Sequence, residues 1–342
     1  IYLVLEREQN PRVDLEGEVE IERSATRMFG MQIDLEGLTH RIGLDEMPLV
    51  VDVKTVVCGV ILQIGDEACD VDDGHPRTLP CELPRRHLWI VEEGRPRMDD
   101  DELRSVLHTA ADLAQSILDA VTDPHERGDR AGQYALDLAV DGPVIDLLRD
   151  AGLGVLSEEA GEIDLERDLV AVLDPVDGST NASLGIPWYA TSICVVDADG
   201  PLRSLVANQA SGDRFEARRG GGAFKNGTAL RSPPEVEPSR AVVGLNGRPP
   251  DAPGWWQFRA LGAAALDLCA VADGTLHGFA DLDADAHGVW DYLGALLVCR
   301  EVGVHIADRF DRDLVVLDHD ARRTPVASGS AELFELLVSL PS

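Results

Sequence analysis

Leu173-Asp174-Pro175-Val176-Asp177-Gly178-Ser179-Thr180-Asn181 is the stretch on which the fold turns. The apolar run before it, Leu169-Val170-Ala171-Val172-Leu173, reads as a buried strand. Two carboxylates, Asp174 and Asp177, stand at the end of that strand. Gly178, Ser179, Thr180 and Asn181 follow as a turn that opens a helix. Hard cations are bound through oxygen, and Mg²⁺ in particular by one or two carboxylates together with phosphate oxygens of a substrate. The free N–H groups and positive dipole end of a helix suit phosphate. The stretch therefore holds the parts of a metal-assisted phosphate site.

Working outward, Gly154-Val155-Leu156-Ser157-Glu158-Glu159-Ala160-Gly161 lies upstream, and Gly220-Gly221-Gly222-Ala223-Phe224-Lys225-Asn226-Gly227 downstream. Beyond these come Arg259-Ala260-Leu261-Gly262-Ala263-Ala264-Ala265-Leu266-Asp267-Leu268 and Val289-Trp290-Asp291-Tyr292-Leu293-Gly294, which continues to Glu301-Val302-Gly303-Val304. In this order the segments resemble the signatures of the inositol monophosphatase family. Those signatures are D-P-(I/V/L)-D-G-(T/S)-(T/S)-N, (G/S)-E-E-(S/A), G-x-G-A-x-x-N-G, R-x-x-G-(S/T)-A-A-L-x-L and W-D-x-x-(A/G) followed by E-A-G-G. The resemblance runs from about Met98 to the C-terminus. Val302 and Val304 depart from E-A-G-G, a change of packing rather than of chemistry.

The resemblance implies an α/β architecture of alternating layers, αβαβα. It implies that Glu158, Asp174, Asp177 and Asp291 ligate Mg²⁺, with the Val176 carbonyl as a further ligand and roughly two or three ions per site. It also implies sensitivity to Li⁺. Ser179 stands where most members have Thr, and its hydroxyl pairs in the family with an upstream Asp that opens a helix in a T-x-x-D form. Asp141 is the better match because an apolar helical pattern follows it, although Leu138 stands where the Thr is usual. Asp137 is the competitor. The backbone amides of Gly178, Ser179 and Thr180 face the phosphate in this reading, and Gly178 leaves room for close approach. Gly262, Ala263 and Ala264 match a segment that touches substrate hydroxyls. Asp281 is the candidate for gripping a polyol hydroxyl, with Asp283 and Asp285 as rivals and a solvated acidic loop as the equal alternative. His277, His287 and His305 sit in no core motif, and Mg²⁺ prefers oxygen, so they read as structural or surface residues.

The function implied is Mg²⁺-dependent hydrolysis of a small phosphorylated alcohol such as inositol monophosphate, without a phosphoenzyme. Histidinol phosphate, fructose 1,6-bisphosphate and 3′-phosphoadenosine 5′-phosphate are rival substrates. A non-catalytic regulator that binds a phosphorylated ligand is the reading from another class. Family members often dimerise, so the resemblance leaves a homodimer open.

Composition bounds the alternatives. A net charge of −32 argues against binding nucleic acid or an anionic membrane, both of which call for basic surfaces. Bound divalent cations reverse the sign locally, so an acidic chain can still take a phosphate. No apolar run reaches the length of a bilayer and no signal segment opens the chain, which gives the expectation of a soluble, cytoplasmic protein. Lysine occurs only at Lys54 and Lys225. Cys58, Cys69, Cys81, Cys194, Cys269 and Cys299 include no C-x-x-C pair, and the last three lie in apolar runs, as small buried hydrophobes.

Residues 1–97 match no recognised family; 50–53 and 56–62 read as strands there. The resemblance implies a catalytic domain at residues 98–342, with halves of about 98–237 and 238–342, and Met98 is the expected functional start. Asp99 to Asp101 cap a helix carrying Leu103, Val106, Leu107, Ala110, Leu113 and Ile117 on one face. Gly142-Pro143 reads as the opening of a second helix with Asp141 near its N-cap. Strands are expected at 155–156, 189–196, 202–207 and 242–245, and helices at 263–272 and 292–302. Asp197-Ala198-Asp199-Gly200 is the turn joining the middle two strands.

Overall fold

The computed structural model describes residues 2–7, 61–62, 86–91, 98–128, 133–249, 251 and 254–340. Contacts divide the chain into two units, Ile1–Met98 and Asp99–Ser342. In the first, β1 (Tyr2–Arg7) pairs in parallel with β2 (Ile61–Leu62) and antiparallel with β3 (Arg86–Val91). The strand expected at 50–53, most of that at 56–62, and Cys58, Cys69 and Cys81 lie outside the described residues.

The second unit opens with α1 (Asp100–Ala120). Its N-cap is Asp99, whose carboxylate accepts from the Glu102 amide at 2.8 Å, and Leu103, Leu107, Ala110, Ala111 and Ala114 line its buried face. The helix α2 spans Ala135–Asp150 and buries Leu136, Val140, Val144, Ile145 and Leu148. Gly142-Pro143 therefore does not begin this helix, as the sequence suggested; Pro143 lies inside it. The apolar repeat at four-residue spacing, Leu136-Val140-Val144-Leu148, outweighs the local breaker because tertiary burial supplies more than a single proline removes.

An eight-stranded sheet follows. It contains β4 (Gly154–Ser157), β5 (Gly161–Ile163), β6 (Val170–Asp177), β7 (Ala190–Asp197), β8 (Gly200–Asn208), β9 (Arg214–Arg218), β10 (Gly222–Lys225) and β11 (Thr228–Ala229). The strand order is β11-β10-β9-β8-β7-β6-β4-β5. β7 and β8 form the expected hairpin, with Asp197 opposite Gly200. Every pairing is antiparallel except β4 with β6. A five-stranded sheet is built from β12 (Val242–Asn246), β13 (Gln257–Arg259), β14 (Gly278–Asp281), β15 (His305–Asp308) and β16 (Pro325–Ser328), in the order β13-β12-β14-β16-β15.

Helices fill the remaining layers. α1 and α2 cover one face of the large sheet. α4 (Ala264–Ala272) and α5 (Val289–Val302) pack on one another and fill the space between the two sheets, and α6 (Ala331–Val338) covers the outer face of the small one. The result is the αβαβα sandwich expected from the sequence. Every residue of α4 is buried, and of α5 all but Asp291, Arg300 and Glu301, as suits helices packed between two sheets. Cys194, Cys269 and Cys299 are buried free thiols of this core, and burial holds each of them above the ordinary thiol range. Among the described residues no helix is long and apolar enough to cross a membrane.

Candidate active site

The β4–β6 pair explains how two distant motifs meet. Parallel strands place their C-terminal ends side by side, where open α/β sheets bind ligands. Ser157 lies opposite Leu173, and the Glu158 amide donates to the Leu173 carbonyl at 3.2 Å. Glu158 thereby sits next to Asp174. β6 then runs on past Leu173, where the sequence alone ended it, through a bulge between Asp174 and Asp177. The bulge takes Pro175 and Val176 out of the ladder, which suits a residue without an N–H. The Asp174 carboxylate accepts from the Val176 amide at 3.0 Å, and the Thr191 hydroxyl donates to the Pro175 carbonyl at 2.9 Å.

Gly178 turns the chain into the short helix α3 (Ser179–Leu184) with φ +84°, a conformation that favours glycine. A Cβ there would also come within 3.0 Å of Ala263 Cβ and the Gly262 carbonyl. Gly262 and Ala263 are thus packed against the turn, while Ala264 begins α4. Asn181 fastens this arrangement, donating at 2.7 Å to the Leu261 carbonyl and at 2.7 Å to that of Trp188. Asp177 caps α4, accepting from the amides of Ala264 at 3.1 Å and Ala265 at 2.8 Å.

Asp291 arrives from the other half of the chain. It occupies the first turn of α5 and accepts from the Gly288 amide at 2.7 Å. Gly288 has no room for a side chain, since a Cβ would lie 2.3 Å from the Trp290 ring. That ring is stacked on His319 with centroids 4.9 Å apart and lies 5.1 Å from the Arg322 guanidinium. His319 Nε2 lies 3.0 Å from the Glu158 carbonyl, which braces the Glu158 loop against α5. At the far end of α5, Glu301 accepts from the amides of Gly220 and Gly222, both at 2.8 Å, so the glycine-rich turn is a structural tie.

Glu158, Asp174 and Asp291 offer carboxylate oxygens within 4.8 Å of one another, the one group of this kind among the described residues. The set is all oxygen and half to fully buried, which fits a hard divalent cation and not a soft one. Asp177 adjoins the cluster without belonging to the trio.

Charge crowding is visible in the titration of these groups. Burial raises Glu158 to about 9, with help from the negative Asp291, Glu159, Asp137 and Asp177. Burial likewise raises Asp174 well above the carboxylate range and raises Asp291. Asp177 is raised to about 7 by burial and by Asp291, against the α4 amides and His287. Groups raised on folding bind more protons in the native state, so their contribution to stability is present at low pH and lost as pH rises. With unfolded values near 4 and folded values of about 7 and 9 for Asp177 and Glu158, the window runs from roughly pH 4 to 9. A divalent cation displaces those protons. Thermal melts at pH 5 and 8.5 should show a metal-free midpoint that falls with pH and a stabilisation by Mg²⁺ that grows with it. A Mg²⁺ increment that is equal at both pH values contradicts this.

The two acids proposed as partners of Ser179 lie at different places along α2. Asp141 lies in the middle of α2, and its carboxylate accepts from the buried Ser157 hydroxyl at the end of β4. Asp137 sits in the first turn of α2, accepts from the Tyr134 amide at 2.9 Å and is hydrogen-bonded to Ser179. Tyr134, whose hydroxyl is 3.3 Å from the Thr180 hydroxyl, takes the place of the Thr in T-x-x-D. Asp137 is raised to about 7 by burial, with Glu159 and Asp141 adding to the effect and the Tyr134 amide and Ser179 opposing it.

Asp281 is neither a solvated acid nor accessible. It is fully buried and accepts from Asn246 at 2.9 Å, from the Asp283 amide at 3.1 Å and from His287 Nδ1 at 2.7 Å. Asp283 and Asp285 are exposed, and Asp285 pairs with Arg312 at 2.6 Å. Of the three histidines set aside above, His277 accepts from the Val242 amide at 2.9 Å and His305 lies against Phe334, both structural. His287 is instead held by the Asp281 carboxylate at Nδ1, and its charge favours the ionised forms of Asp177, Asp267 and Asp291. The one sequence signal for it is its place just ahead of the α5 turn that carries Asp291.

The sequence profile of the inositol monophosphatase family matches residues 101–340. The chain is 29% identical over 208 residues to a fructose-1,6-bisphosphatase of Pyrococcus furiosus, covering 60% of this chain and 82% of that one. It is 30% identical over 222 residues to a fructose-1,6-bisphosphatase/inositol-1-monophosphatase of Archaeoglobus fulgidus, covering 62% and 86%. Its fold is that of a solved protein from Pyrococcus horikoshii described as having similarities for inositol-1 monophosphatase. That match has a TM-score of 0.66 at 22% identity and covers 71% of this chain and 100% of the other.

Proposed function

Because the chain belongs to the inositol monophosphatase family, and is with it a phosphoric monoester hydrolase, we propose that it hydrolyses a small phosphorylated alcohol, inositol monophosphate foremost, with Mg²⁺ bound. The observation that carries this reading is the meeting of Glu158, Asp174 and Asp291, from three separate segments, beside a hydrogen-bonded Asp137–Ser179 pair. Magnesium would be held by Glu158, Asp174, Asp177 and Asp291 with the Val176 carbonyl; when bound, it supplies charge neutralisation on the phosphoryl oxygens and an acidified water.

The remaining work falls to the chain itself. The Ser179 hydroxyl orients the attacking water, and Asp137 receives the proton it gives up. A carboxylate raised to about 7 is suited to that exchange near neutral pH. The first amides of a helix lack intrahelical partners, so those of Gly178, Ser179 and Thr180 are free to hold phosphoryl oxygens. Gly262, Ala263 and Ala264, fastened by Asn181 and pressed against Gly178, form the wall beside the alcohol.

Fructose 1,6-bisphosphate is the second reading, favoured by the names of the archaeal relatives. Phosphate release from inositol 1-phosphate, fructose 1,6-bisphosphate, histidinol phosphate and 3′-phosphoadenosine 5′-phosphate, each with Mg²⁺ and with chelator, tests both. Mg²⁺-dependent turnover of the first is the expected result; turnover of none would refute the enzyme.

A further inference from the structure

We propose that Tyr134 is a positioning residue that holds Asp137 and Ser179 in register with each other, its amide fixing the acid and its hydroxyl fixing the helix start that carries the serine. The inference rests on the phosphatase reading above and adds a residue to it.

Three segments of the site converge on the dipeptide Gln133-Tyr134, just ahead of α2. The Tyr134 amide donates to the Asp137 carboxylate at 2.9 Å. The Tyr134 hydroxyl donates to the Thr180 hydroxyl at 3.3 Å, one residue beyond Ser179 in α3. Ser183 is hydrogen-bonded to the same phenol and donates to the Thr180 carbonyl at 2.9 Å. The Gln133 side chain donates to Glu159, which follows Glu158 at the end of β4. One residue therefore touches both the acid of α2 and the first turn of α3, with its neighbour tied to the Glu158 loop. A threonine, which the T-x-x-D form would put at 134, carries its hydroxyl on Cβ and lacks the reach of the ring.

Tyr134 is itself firmly held. It is 4% exposed. Its backbone bridges to Arg127, the Gly128 amide donates to the Gln133 carbonyl at 3.0 Å, and the Ala135 amide donates to the Glu126 carbonyl at 2.9 Å. The Arg127 guanidinium lies over the ring, 4.2 Å from its centroid. A Cβ at Gly128 would come within 2.4 Å of Gln133 Oε1, so glycine lets these two segments close on one another. A side chain locked by its own neighbours can set the place of another. A base serves a water only within hydrogen-bond reach, and small misplacements of reacting groups cost rate steeply. A tie between the two helices therefore acts on turnover.

At 3.3 Å the contact is long for two hydroxyls, which sets the scale of the effect. Tyr134→Phe keeps the ring, the guanidinium contact and the amide, and loses only the hydroxyl. It should lower kcat on inositol 1-phosphate by about 3–10-fold, leave KM within about twofold and leave the melting temperature within about 2 °C. Thr180→Val, which keeps its own amide, should lose part of the same factor, and Thr180→Ser, which keeps the hydroxyl, should restore it. In the Tyr134→Phe background neither change at 180 should lower kcat further, because the partner hydroxyl is already gone. Unchanged kcat in Tyr134→Phe, a rise in KM without a fall in kcat, additive losses at 134 and 180, or a large drop in melting temperature alongside the lost turnover would each overturn the proposal. A wild-type protein that releases phosphate from none of the four esters named above would instead refute the phosphatase reading itself.

Discussion

Asp174→Asn is expected to reduce phosphate release by at least about 10²–10³-fold, the order lost when one preorganised charged group is removed from a transition-state site, and at the same time to stabilise the metal-free protein. The two effects have opposite signs for one reason. Asp174 is 1% exposed and packed among Glu158, Asp177 and Asp291, so its charge is costly while no cation is bound. Asparagine keeps the oxygen that accepts from the Val176 amide, so the bulge at the end of β6 survives. Relief of the crowding should raise the metal-free melting temperature by roughly 2–4 °C for each kcal/mol gained. The stabilisation added by Mg²⁺ should largely vanish. Melts with and without chelator, alongside a phosphate-release assay, check all three. A variant that loses activity but also melts lower without metal would mean that Asp174 serves folding and not the ion. The exchange of stability for activity is the usual condition of sites that gather like charges.

Asp137→Asn is expected to lower kcat by about 10²–10⁴-fold, the span for loss of a general base, while Asp141→Asn stays within about tenfold. An amide at 137 can still cap α2 and accept from Ser179, but it cannot take a proton from water. An amide at 141 still accepts from the Ser157 hydroxyl. Asp141→Ala should behave differently from both. It leaves the fully buried Ser157 hydroxyl without its acceptor, at a cost of about 1–3 kcal/mol, and loosens the strand end that carries Glu158. Steady-state kinetics and melts on the three variants separate these outcomes. Comparable kcat losses in the two asparagine variants would remove the basis for choosing Asp137 over Asp141.

The assignment of that pair shows where sequence reading succeeds and where it stops. The meeting of Glu158, Asp174 and Asp291 was legible because each sits in a short motif whose spacing is set by one strand end or one helix start. The β7–β8 hairpin was legible from its turn, and the α1 cap from its run of acids. Asp141 is the better match in the sequence because an apolar helical pattern follows it, but the helix begins at Ala135 and buries Leu136 and Val140 ahead of Gly142-Pro143. Asp281 matched by position, but burial is not a local property. Only the fold shows that Asn246, Asp283 and His287 already occupy its oxygens. The role of His287 was invisible for the complementary reason: nothing in its neighbourhood along the chain distinguishes a ring held by a buried carboxylate from one on the surface. Glu159 and Asn181 lay inside quoted motifs, yet their tasks, crowding the cluster and fastening the Leu261 and Trp188 carbonyls, depend on partners far away in sequence.

Asp291 enters the cluster from α5, behind all of the large sheet and three strands of the small one. A polypeptide synthesised only as far as β11 would own Glu158, Asp174 and Asp177 but no fourth acid, no α4 amides to restrain Asp177, and no indole to steady the Glu158 loop. The acidic cluster is therefore complete only once α5 has been made, and the gain in melting temperature expected on adding Mg²⁺ doubles as an assay of complete folding.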